Sequence, residues 1–580
     1  MWSDVFFNLA YTLFWIGLFA VSQKKQPLRS VVILLFHATT VLVVVTTTAA
    51  HHFFLENGTT LDYGTIAEWV PKFSEVVPIL FQGRVPVLAW MLFATALLYA
   101  ALGPLFVSWA AERWRGWSEG RFATISAQTT LWGSLGLFLL ALSFGSLSVL
   151  TGNTTLARAP FVNVVLTGIK QVYISNAGQP TVLPAAHASL AETSRIEKRN
   201  VVLIHLESTR AQSVTPYNED LKTTPFLNEL AKSSLLIERA YVVVPRSSKA
   251  TVTVNCGIDP PLYQGPEYEP GGIPVPCLGN LLKDQGYDTV FFQSSSEKMD
   301  QYGVVAENLG YKEYYPSESM DKESFESTNY ISYEDDIMLK PSEQWLQEHQ
   351  DKPFLAQYIT GTGHDDYRCL STHYGSENFA QDDRLNRYLN CLRLQDIFLQ
   401  NLFDQYKKLG LYDHTVFVIY GDHGQEFGRH GRFLHGDTPW EEGLRVPLVI
   451  HDPKRFQNGE RVEGLSNQTD ILPTVVEVLG YQVENGEYPG YSLLRPIPED
   501  RTLRFSCISS LKCLASIKRD EKYIYHYDNQ PEEVFNLSED PLEEYNIADE
   551  YSEAHLDKWR EDLFTWRSSV NSYYSAKNSS

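Results

Sequence analysis

Positive charge is scarce in this sequence of 580 residues. Lys and Arg number 48 against 70 Asp and Glu, which gives a formal net charge of −22 at pH 7. Because a surface of that sign repels phosphates, a nucleic-acid partner is excluded. The sequence also lacks low-complexity tracts and internal repeats, and its composition is that of a folded protein. The length allows about four domains, or one large α/β domain with a membrane part.

Cysteine is absent from the first 255 residues. The six cysteines all lie in the C-terminal part, at Cys256, Cys277, Cys369, Cys391, Cys507 and Cys513. Pairing of neighbours would give three short disulfide loops, which is one of several possible connectivities. Disulfides would place this part of the chain in an oxidising compartment. Six free thiols in a reducing compartment are the alternative.

Charged residues are missing from four apolar stretches, residues 5–22, 31–50, 87–109 and 125–150. Each stretch is long enough to cross a hydrocarbon core of about 30 Å. A cleaved signal peptide would explain only one of them. We therefore predict an all-α transmembrane domain of about four helices over residues 1–150, with buried core helices as the alternative.

The loops between these stretches predict the orientation in the membrane. Loop 23–29 carries Lys24, Lys25 and Arg29 without an acidic residue, and loop 110–124 carries three arginines. If both loops are cytoplasmic, everything after about residue 150 is extracytoplasmic. The glycosylation sequons lie on that predicted outer side, at Asn57, Asn153, Asn467, Asn536 and Asn578. We therefore predict an integral membrane glycoprotein.

A juxtamembrane linker is predicted over residues 151–198, and a soluble domain over residues 199–580. The linker contains "FVNVVLTGIKQVYI", which could form an amphipathic helix on the membrane surface or a plain linker helix. In the soluble domain, apolar runs such as "NVVLIHLE", "DTVFFQ", "PFLAQYIT" and "HTVFVIYG" alternate with helical segments. This alternation predicts an α/β fold with a doubly wound sheet.

Carboxylates and imidazoles follow three of these predicted strands. Glu207 ends the first run, His364 follows the third, and Asp422 and His423 follow the fourth. Ligands bind beyond the carboxyl ends of the strands in such sheets, so these side chains are expected to meet. A mixed oxygen and nitrogen set predicts one divalent metal ion. Mn²⁺ or Zn²⁺ suits it better than Ca²⁺, and Mg²⁺ is a further possibility.

A candidate nucleophile lies in "AYVVVPRSSKATVTVNCG". If a helix begins near Ser247, its positive end and the adjacent Lys249 would favour an alkoxide on Ser247 or Ser248. We count Lys249 among the candidate substrate-binding residues for this reason. The alternative is that the two serines only cap the helix.

Several motifs resemble those of the sulfatase-domain branch of the alkaline phosphatase superfamily. They are "VLIHLES", "TGTGHDDY", "GDHGQEFG", "GRFLHG", "PWEEGLRVPLVI" and "EEVFNLSEDPLEEYNIADE", in this order along the chain. The resemblance covers roughly residues 199–545. It is strongest to membrane-bound phospho-group transferases, namely lipoteichoic acid synthases, phosphoethanolamine transferases and periplasmic-glucan phosphoglycerol transferases. It implies an alkaline-phosphatase-like sheet domain.

The resemblance also implies roles for single residues. The metal ligands would be Glu207, Ser247, Asp422 and His423, and the substrate phosphate would be bound by His364 and His435. A single Glu at position 207 agrees with the transferases, because sulfatases proper carry paired Asp there.

The nucleophile region departs from both relatives. Sulfatases use CxPSR, whose Cys becomes formylglycine, whereas this chain has two serines, one of which could still be a formylglycine precursor. The transferases use Thr. Counting back from Gly257 selects Ser247, and aligning on Cys256 selects Ser248. We prefer Ser247.

The expected function is a membrane-anchored, metal-dependent enzyme that transfers or hydrolyses a phospho-group of phosphoglycerol or phosphoethanolamine type through a covalent serine intermediate. Its partners would be a lipid head-group donor, or a sulfated or phosphorylated glycan, and the membrane. No obligate protein partner is inferred. One alternative is a sulfuric ester hydrolase acting on sulfated glycans or lipids. Another is an inactive relative that serves as a receptor or scaffold.

Overall fold

Two compact units make up the chain in the computed structural model. One comprises Met1–Asn176 with Asp528–Pro531, and the other comprises Ala177–Tyr527 with Glu532–Ser580. The structure describes residues 2–22, 25–57, 60–69, 87, 90–98, 101–102, 127–143, 158–174, 183–263, 265–297, 301–369, 373–508, 512–527 and 530–575.

The first unit is helical. Its helices are α1 (Trp2–Ser22), α2 (Gln26–Asn57), α3 (Tyr63–Trp69), α4 (Ala127–Ser143) and α5 (Pro160–Ile174). Hydrogen bonds join α1 to α4, because Ser3 Oγ donates to the carbonyl of Ala141 at 2.9 Å and Ser134 Oγ donates to that of Ala10 at 2.7 Å. Polar side chains among apolar helices thus find partners within the unit.

Two helices in the described part of the chain, α1 and α2, are long and apolar enough to cross a membrane. This finding concerns length and composition only. The fourth predicted stretch contains the shorter apolar helix α4. Of the third, residues 87, 90–98 and 101–102 are described, and all of them are helical. The predicted number of four spans therefore stays a prediction, and so do the boundaries at residues 150 and 198.

The second unit contains nine α-helices and nineteen strands among its described residues. The helices are α6 (Pro225–Ala231), α7 (Ser247–Cys256), α8 (Leu278–Asp284), α9 (Tyr302–Asn308), α10 (Leu339–Glu348), α11 (Asp383–Lys408), α12 (Glu441–Leu444), α13 (Ile471–Val478) and α14 (Glu553–Ser575). The strands are β1 (Ser189–Glu192), β2 (Asn200–Leu206), β3 (Leu235–Ile237), β4 (Ala240–Tyr241), β5 (Asp288–Gln293), β6 (Glu313–Tyr315), β7 (Phe354–Ile359), β8 (Thr415–Gly421), β9 (Glu426–Phe427), β10 (Phe433–Leu434), β11 (Arg445–Val446), β12 (Leu448–His451), β13 (Glu460–Val462), β14 (Ser466–Asn467), β15 (Tyr481–Glu484), β16 (Thr502–Ser506), β17 (Cys513–Lys518), β18 (Glu521–His526) and β19 (Glu533–Asn536).

The main sheet has eight strands in the order β13-β3-β12-β8-β2-β7-β5-β6. Strands β8, β2, β7, β5 and β6 are parallel to one another, whereas β12 runs antiparallel to both β8 and β3. A separate antiparallel sheet has the order β16-β17-β18-β19. The remaining strands form the small sheets β1-β15, β10-β9 and β11-β4-β14.

Helices cover both faces of the main sheet. All seven residues of β2 are buried. Val201 and Leu203 belong to a hydrophobic cluster with side chains of α7, α8 and α13, while Val202 and Ile204 belong to another with side chains of α10 and α11. Burial on two faces explains the continuous apolar run in the sequence. The predicted doubly wound α/β fold is thus confirmed.

Three disulfides close short loops in the second unit. They join Cys256 to Cys277, Cys369 to Cys391 and Cys507 to Cys513, so all six cysteines are paired. The first links the last residue of α7 to the residue before α8, and the third links the residue after β16 to the first residue of β17. The prediction that neighbours pair is confirmed.

Candidate functional site

The parallel register brings the ends of β2, β7 and β8 to one edge of the sheet. Leu206 at the end of β2 pairs with Gly421 at the end of β8, and β7 lies on the other side of β2. The next residues are therefore Glu207 after β2, and Asp422 and His423 after β8. All three side chains are buried. The structure brings these predicted ligands together.

Ser247 completes this cluster from the other side. It is the first residue of α7, and its Oγ donates a hydrogen bond to Glu207 Oε2 at 2.9 Å. The same oxygen lies 3.3 Å from Nε2 of His423. The serine hydroxyl thus lies between a carboxylate and an imidazole at the positive end of a ten-residue helix.

The carboxylate of Asp422 is held by one oxygen only. Its Oδ1 accepts from the backbone N–H groups of Ser208 and His423, both at 2.7 Å. Its Oδ2 has no hydrogen-bond partner among the described residues, although it lies 3.2 Å from His423 Nε2. The ring of His423 is oriented by a hydrogen bond between its Nδ1 and the carbonyl of Gly424 at 2.9 Å. That bond leaves Nε2 as the ring atom that faces the carboxylates.

The charges of the cluster favour a bound cation. Burial raises the pKa of Glu207, and the neighbouring charge of Asp422 raises it further. Burial also acts to raise the pKa of Asp422, but the imidazoles of His423 and His205 outweigh it and hold this pKa well below its usual range. Two carboxylates packed together in a buried site repel each other, and a divalent cation between them would relieve that repulsion.

The residues present fit a divalent metal ion. One ligand atom from each of His205, Glu207 and Asp422 lies within 4.8 Å of the others. Oδ2 of Asp422 is a buried acceptor without a donor in the described part of the chain, and such an atom in a native site calls for an ion or a water. Carboxylate oxygen together with imidazole nitrogen is a donor set for transition-metal ions such as Mn²⁺ or Zn²⁺.

The two serines of the helix start point in different directions. Oγ of Ser248 is fully buried and accepts a hydrogen bond from the hydroxyl of Tyr268 at 2.9 Å. The residue that caps α7 is Arg246, so neither serine serves as the N-cap. The structure therefore brings Ser247 to the cluster and leaves Ser248 outside it.

Lys249 is engaged inside the domain. Its ammonium group lies 2.5 Å from Glu267 Oε1 and donates to the carbonyl of Tyr263 at 2.8 Å, and its side chain is 1% exposed. The structure therefore places this amine in a buried ion pair with Glu267. Its role as a substrate-binding residue stays a prediction, which this pairing does not support.

Two more imidazoles border the cluster. The ring of His435 stacks on that of His423, with centroids 3.9 Å apart, and its Nδ1 lies 3.1 Å from Gln425 Oε1. The rings of His364 and His435 lie 6.4 Å apart. The structure thus places His435 against the predicted ligand His423, and His364 next to His435.

The two rings differ in charge. Burial acts to lower the pKa of His364, but the hydrogen bond and the charge of Asp365 outweigh it and raise this pKa to about 9. Burial lowers the pKa of His435 well below its usual value, and the nearby imidazoles lower it further. One cationic and one neutral imidazole therefore face the same site.

Two residues of this site were not predicted from the sequence. His205 lies two positions before Glu207 in β2, and its Nε2 lies 3.0 Å from Asp422 Oδ2. Gln395 of α11 donates from Nε2 to the backbone carbonyl of Glu207 at 3.0 Å. The alternation of side chains along a strand places residues 205 and 207 on one face, and that signal could have found His205.

Comparisons with known proteins agree with this geometry. Residues 199–481 match the family model described as Sulfatase. Lipoteichoic acid synthase-like YvgJ of Bacillus subtilis (strain 168) is 25% identical over 308 residues, which is 51% of this chain and 50% of that protein. The match thus spans about half the length of this curated relative.

Two solved structures have a similar fold. A protein in the alkaline phosphatase superfamily from Vibrio parahaemolyticus gives a TM-score of 0.55 at 19% identity and covers 69% of this chain and 95% of its own. The lipoteichoic acid synthase LtaP from Listeria monocytogenes gives 0.53 at 16% identity and covers 70% of this chain and 97% of its own. The resemblance read from the motifs is confirmed, because residues 199–481 of this chain match the sulfatase family model.

Proposed function

We propose that this protein is a membrane-anchored enzyme that transfers the phospho-group of a lipid head group, of phosphoglycerol or phosphoethanolamine type, by way of Ser247. The observation that carries the proposal is the position of Ser247 Oγ, 2.9 Å from Glu207 Oε2 and 3.3 Å from His423 Nε2. The name of the curated relative, lipoteichoic acid synthase-like YvgJ, supports a lipid-linked phospho-group donor.

In the first step Ser247 Oγ attacks the phosphorus atom of the donor. The Oγ–P bond forms and the bond from phosphorus to the lipid oxygen breaks, so the phospho-group passes to the serine. The hydrogen bond to Glu207 gives the serine proton its first acceptor. A divalent cation held by Glu207, Ser247, Asp422 and His423 would favour the alkoxide and neutralise charge on the phosphoryl oxygens.

His364 is suited to donate a proton to the leaving group. Its Nδ1 is held by the carbonyl of Asp365 at 2.7 Å and by the carboxylate of that residue at 3.1 Å. A cationic ring so oriented stabilises the negative charge on the phosphoryl oxygens, and it supplies the proton that the leaving lipid oxygen takes up. Diacylglycerol would then be the leaving group of a phosphoglyceride donor.

His435 is suited to accept a proton from the acceptor hydroxyl. A hydrogen bond from its Nδ1 to Gln425 Oε1 leaves Nε2 with a free lone pair. In the second step this nitrogen takes the proton of an acceptor hydroxyl, whose oxygen attacks the phosphorus and releases Ser247. The acceptor is a hydroxyl of a glycan or a lipid, and with water the reaction is hydrolysis.

The disulfides and the N-terminal helices support an extracytoplasmic location for the catalytic domain. Disulfides persist in oxidising compartments, so three of them in the second unit support an extracytoplasmic catalytic domain. Two N-terminal helices that are long and apolar enough to span a bilayer would keep this domain at the source of lipid donors.

The test uses the full-length protein in detergent, supplied with Mn²⁺ and either phosphatidylglycerol or phosphatidylethanolamine. We expect release of diacylglycerol from one of the two lipids, loss of that release with EDTA, and recovery when Mn²⁺ is added back. The matched control is Ser247→Ala.

A sulfuric ester hydrolase would behave differently. It would cleave an aryl sulfate and release no diacylglycerol, and mass spectrometry would find formylglycine at position 247 or 248. That combination would replace the proposal with the sulfatase alternative. An inactive scaffold would show neither activity and would bind no metal.

A further inference from the structure

His205 lies inside the metal-binding cluster without a role in the steps above. Its side chain is fully buried in β2, two residues before Glu207. Its Nε2 lies 3.0 Å from Asp422 Oδ2 and 3.9 Å from Glu207 Oε2. Neither His205 Nε2 nor Asp422 Oδ2 has a hydrogen-bond partner among the described residues.

The hydrogen bonds around His205 decide which ring nitrogen carries the proton. Thr251 Oγ1 donates its hydrogen to the carbonyl of Ser247 at 2.8 Å, so towards the ring it can only accept. It lies 3.4 Å from His205 Nδ1, which therefore bears the N–H. In the neutral ring Nε2 then carries a lone pair.

The lone pair of His205 Nε2 lies next to another hydrogen-bond acceptor, the carboxylate of Asp422. Asp422 Oδ1 is already occupied by two backbone N–H groups, so Oδ2 is the oxygen that points at His205. Two buried acceptors at 3.0 Å repel each other unless a positive charge lies between or beside them.

The spacing fits ligands of one metal ion. Two ligand atoms that each lie about 2.1 Å from one ion can be no more than about 4.2 Å apart. Both distances from His205 Nε2 fall within that limit, 3.0 Å to Asp422 Oδ2 and 3.9 Å to Glu207 Oε2. The other neighbouring pairs in the cluster have similar separations, 2.9 Å from Ser247 Oγ to Glu207 Oε2 and 3.2 Å from His423 Nε2 to Asp422 Oδ2.

We propose that His205 is a further ligand of the cation, through Nε2, so that the bound metal carries two imidazoles. This inference rests on the metal site of the proposed function. A second nitrogen ligand favours Zn²⁺ over Mg²⁺ and Ca²⁺, which prefer oxygen. The competing explanation is a protonated His205 that pairs with Asp422 and never touches the metal.

X-ray absorption distinguishes a metal-bound His205 from a protonated His205 that pairs with Asp422. The sample is the full-length protein in detergent, loaded with one equivalent of Zn²⁺. Multiple scattering from imidazole rings counts the histidines on the metal. We expect two in the unsubstituted protein, one in His205→Gln, and two in the control His435→Gln, whose ring stacks on His423 but is not a ligand here. The dissociation constant for Zn²⁺ should rise about tenfold or more in His205→Gln.

One imidazole in the unsubstituted protein overturns the proposal, and so does an unchanged count in His205→Gln. The measurement on the unsubstituted protein is decisive even if the variant fails to fold. If Zn²⁺ binds with one imidazole and lipid transfer is intact, only the role of His205 fails. If the protein binds no metal at all, the proposed function fails with it.

Discussion

The two serines at the start of α7 show how a single position decides chemistry. Neighbouring residues on a helix point about 100° apart, so only one of two adjacent side chains can face a given site. Ser247 faces Glu207 and His423, while Ser248 is held by Tyr268. The sequence left both serines open as the nucleophile, and these contacts favour Ser247.

Substitution of each serine tests this difference. Ser247→Ala should lower the rate of diacylglycerol release by about a thousandfold or more, because it removes the attacking oxygen. Ser248→Ala should lower it by less than about tenfold. The assay is lipid turnover by the full-length protein at equal metal content. Similar losses in both variants would contradict the assignment.

His364 predicts a pH limit. Its pKa is raised to about 9, so the ring is cationic near neutral pH and loses its proton as the pH rises through that value. The donor of the first step is then lost, and kcat/KM should fall above about pH 9. In His364→Gln, kcat/KM should be lower at every pH and should no longer fall above about pH 9. A fall of the same shape in the variant would assign it to another group.

At the scale of elements, the turn that carries His435 is held by a neighbouring loop. Ile508 donates its backbone N–H to the carbonyl of Gly436 at 2.7 Å, and Lys512 pairs with Asp437 at 2.5 Å. Both contacts come from the segment closed by the disulfide Cys507–Cys513. The disulfide therefore stabilises the turn that presents His435.

Removing this disulfide should weaken the turn without disturbing the metal ligands. The double variant Cys507→Ser and Cys513→Ser is expected to raise KM and lower kcat/KM by about tenfold, with zinc content unchanged. Steady-state kinetics and metal analysis check this. The matched control is Cys369→Ser with Cys391→Ser, which opens a different loop. Loss of metal in the first variant would contradict the account.

Helix α6 depends on a side chain from α11. The carboxylate of Asp396 accepts the backbone N–H groups of Phe226 and Leu227, both at 2.8 Å, at the start of α6. Such groups at a helix start have no partner within the helix. This long-range cap holds the start of α6 against α11, and no local sequence pattern predicts it.

The cap predicts a pH-dependent stability. Burial raises the pKa of Asp396 from its ordinary 3.8 to about 7. Because the folded pKa lies above the unfolded one, its contribution to stability is complete below about pH 4 and is lost as the pH rises to 7. The melting temperature of Asp396→Asn should therefore lie below that of the parent by a margin that shrinks between pH 4.5 and 7.5. A difference in melting temperature that stays constant over this pH range would contradict the raised pKa of Asp396.

At the scale of the whole molecule, the orientation in the membrane is open to a direct test. All six cysteines are paired, so an introduced cysteine is a specific label site. On intact cells a membrane-impermeant maleimide should label Ala554→Cys and should spare Gln26→Cys until the cells are permeabilised. Both positions are exposed. The reverse pattern would contradict the predicted topology.

The sequence predicted the centre of the second unit because burial on two faces leaves a clear pattern. The runs that became β2, β7 and β8 are continuous and apolar, and Glu207, Asp422 and His423 follow them directly. Residues defined by contacts between distant segments were harder to predict. The contact of His205 with Asp422 joins two strands that are distant in sequence, and the pairing of Lys249 with Glu267 joins segments that no local pattern relates. Short strands such as β9 and β10 are too brief to show a period.

The central claim is that Ser247 takes the phospho-group. The most direct test is peptide mass analysis of the full-length protein after brief exposure to the lipid donor and rapid acid quenching. We predict that a phospho-group of the donor, glycerophosphoryl or its ethanolamine counterpart, is attached to Ser247 and is absent from Ser247→Ala. An unmodified Ser247 during active turnover, or the group found on Ser248, would contradict the account.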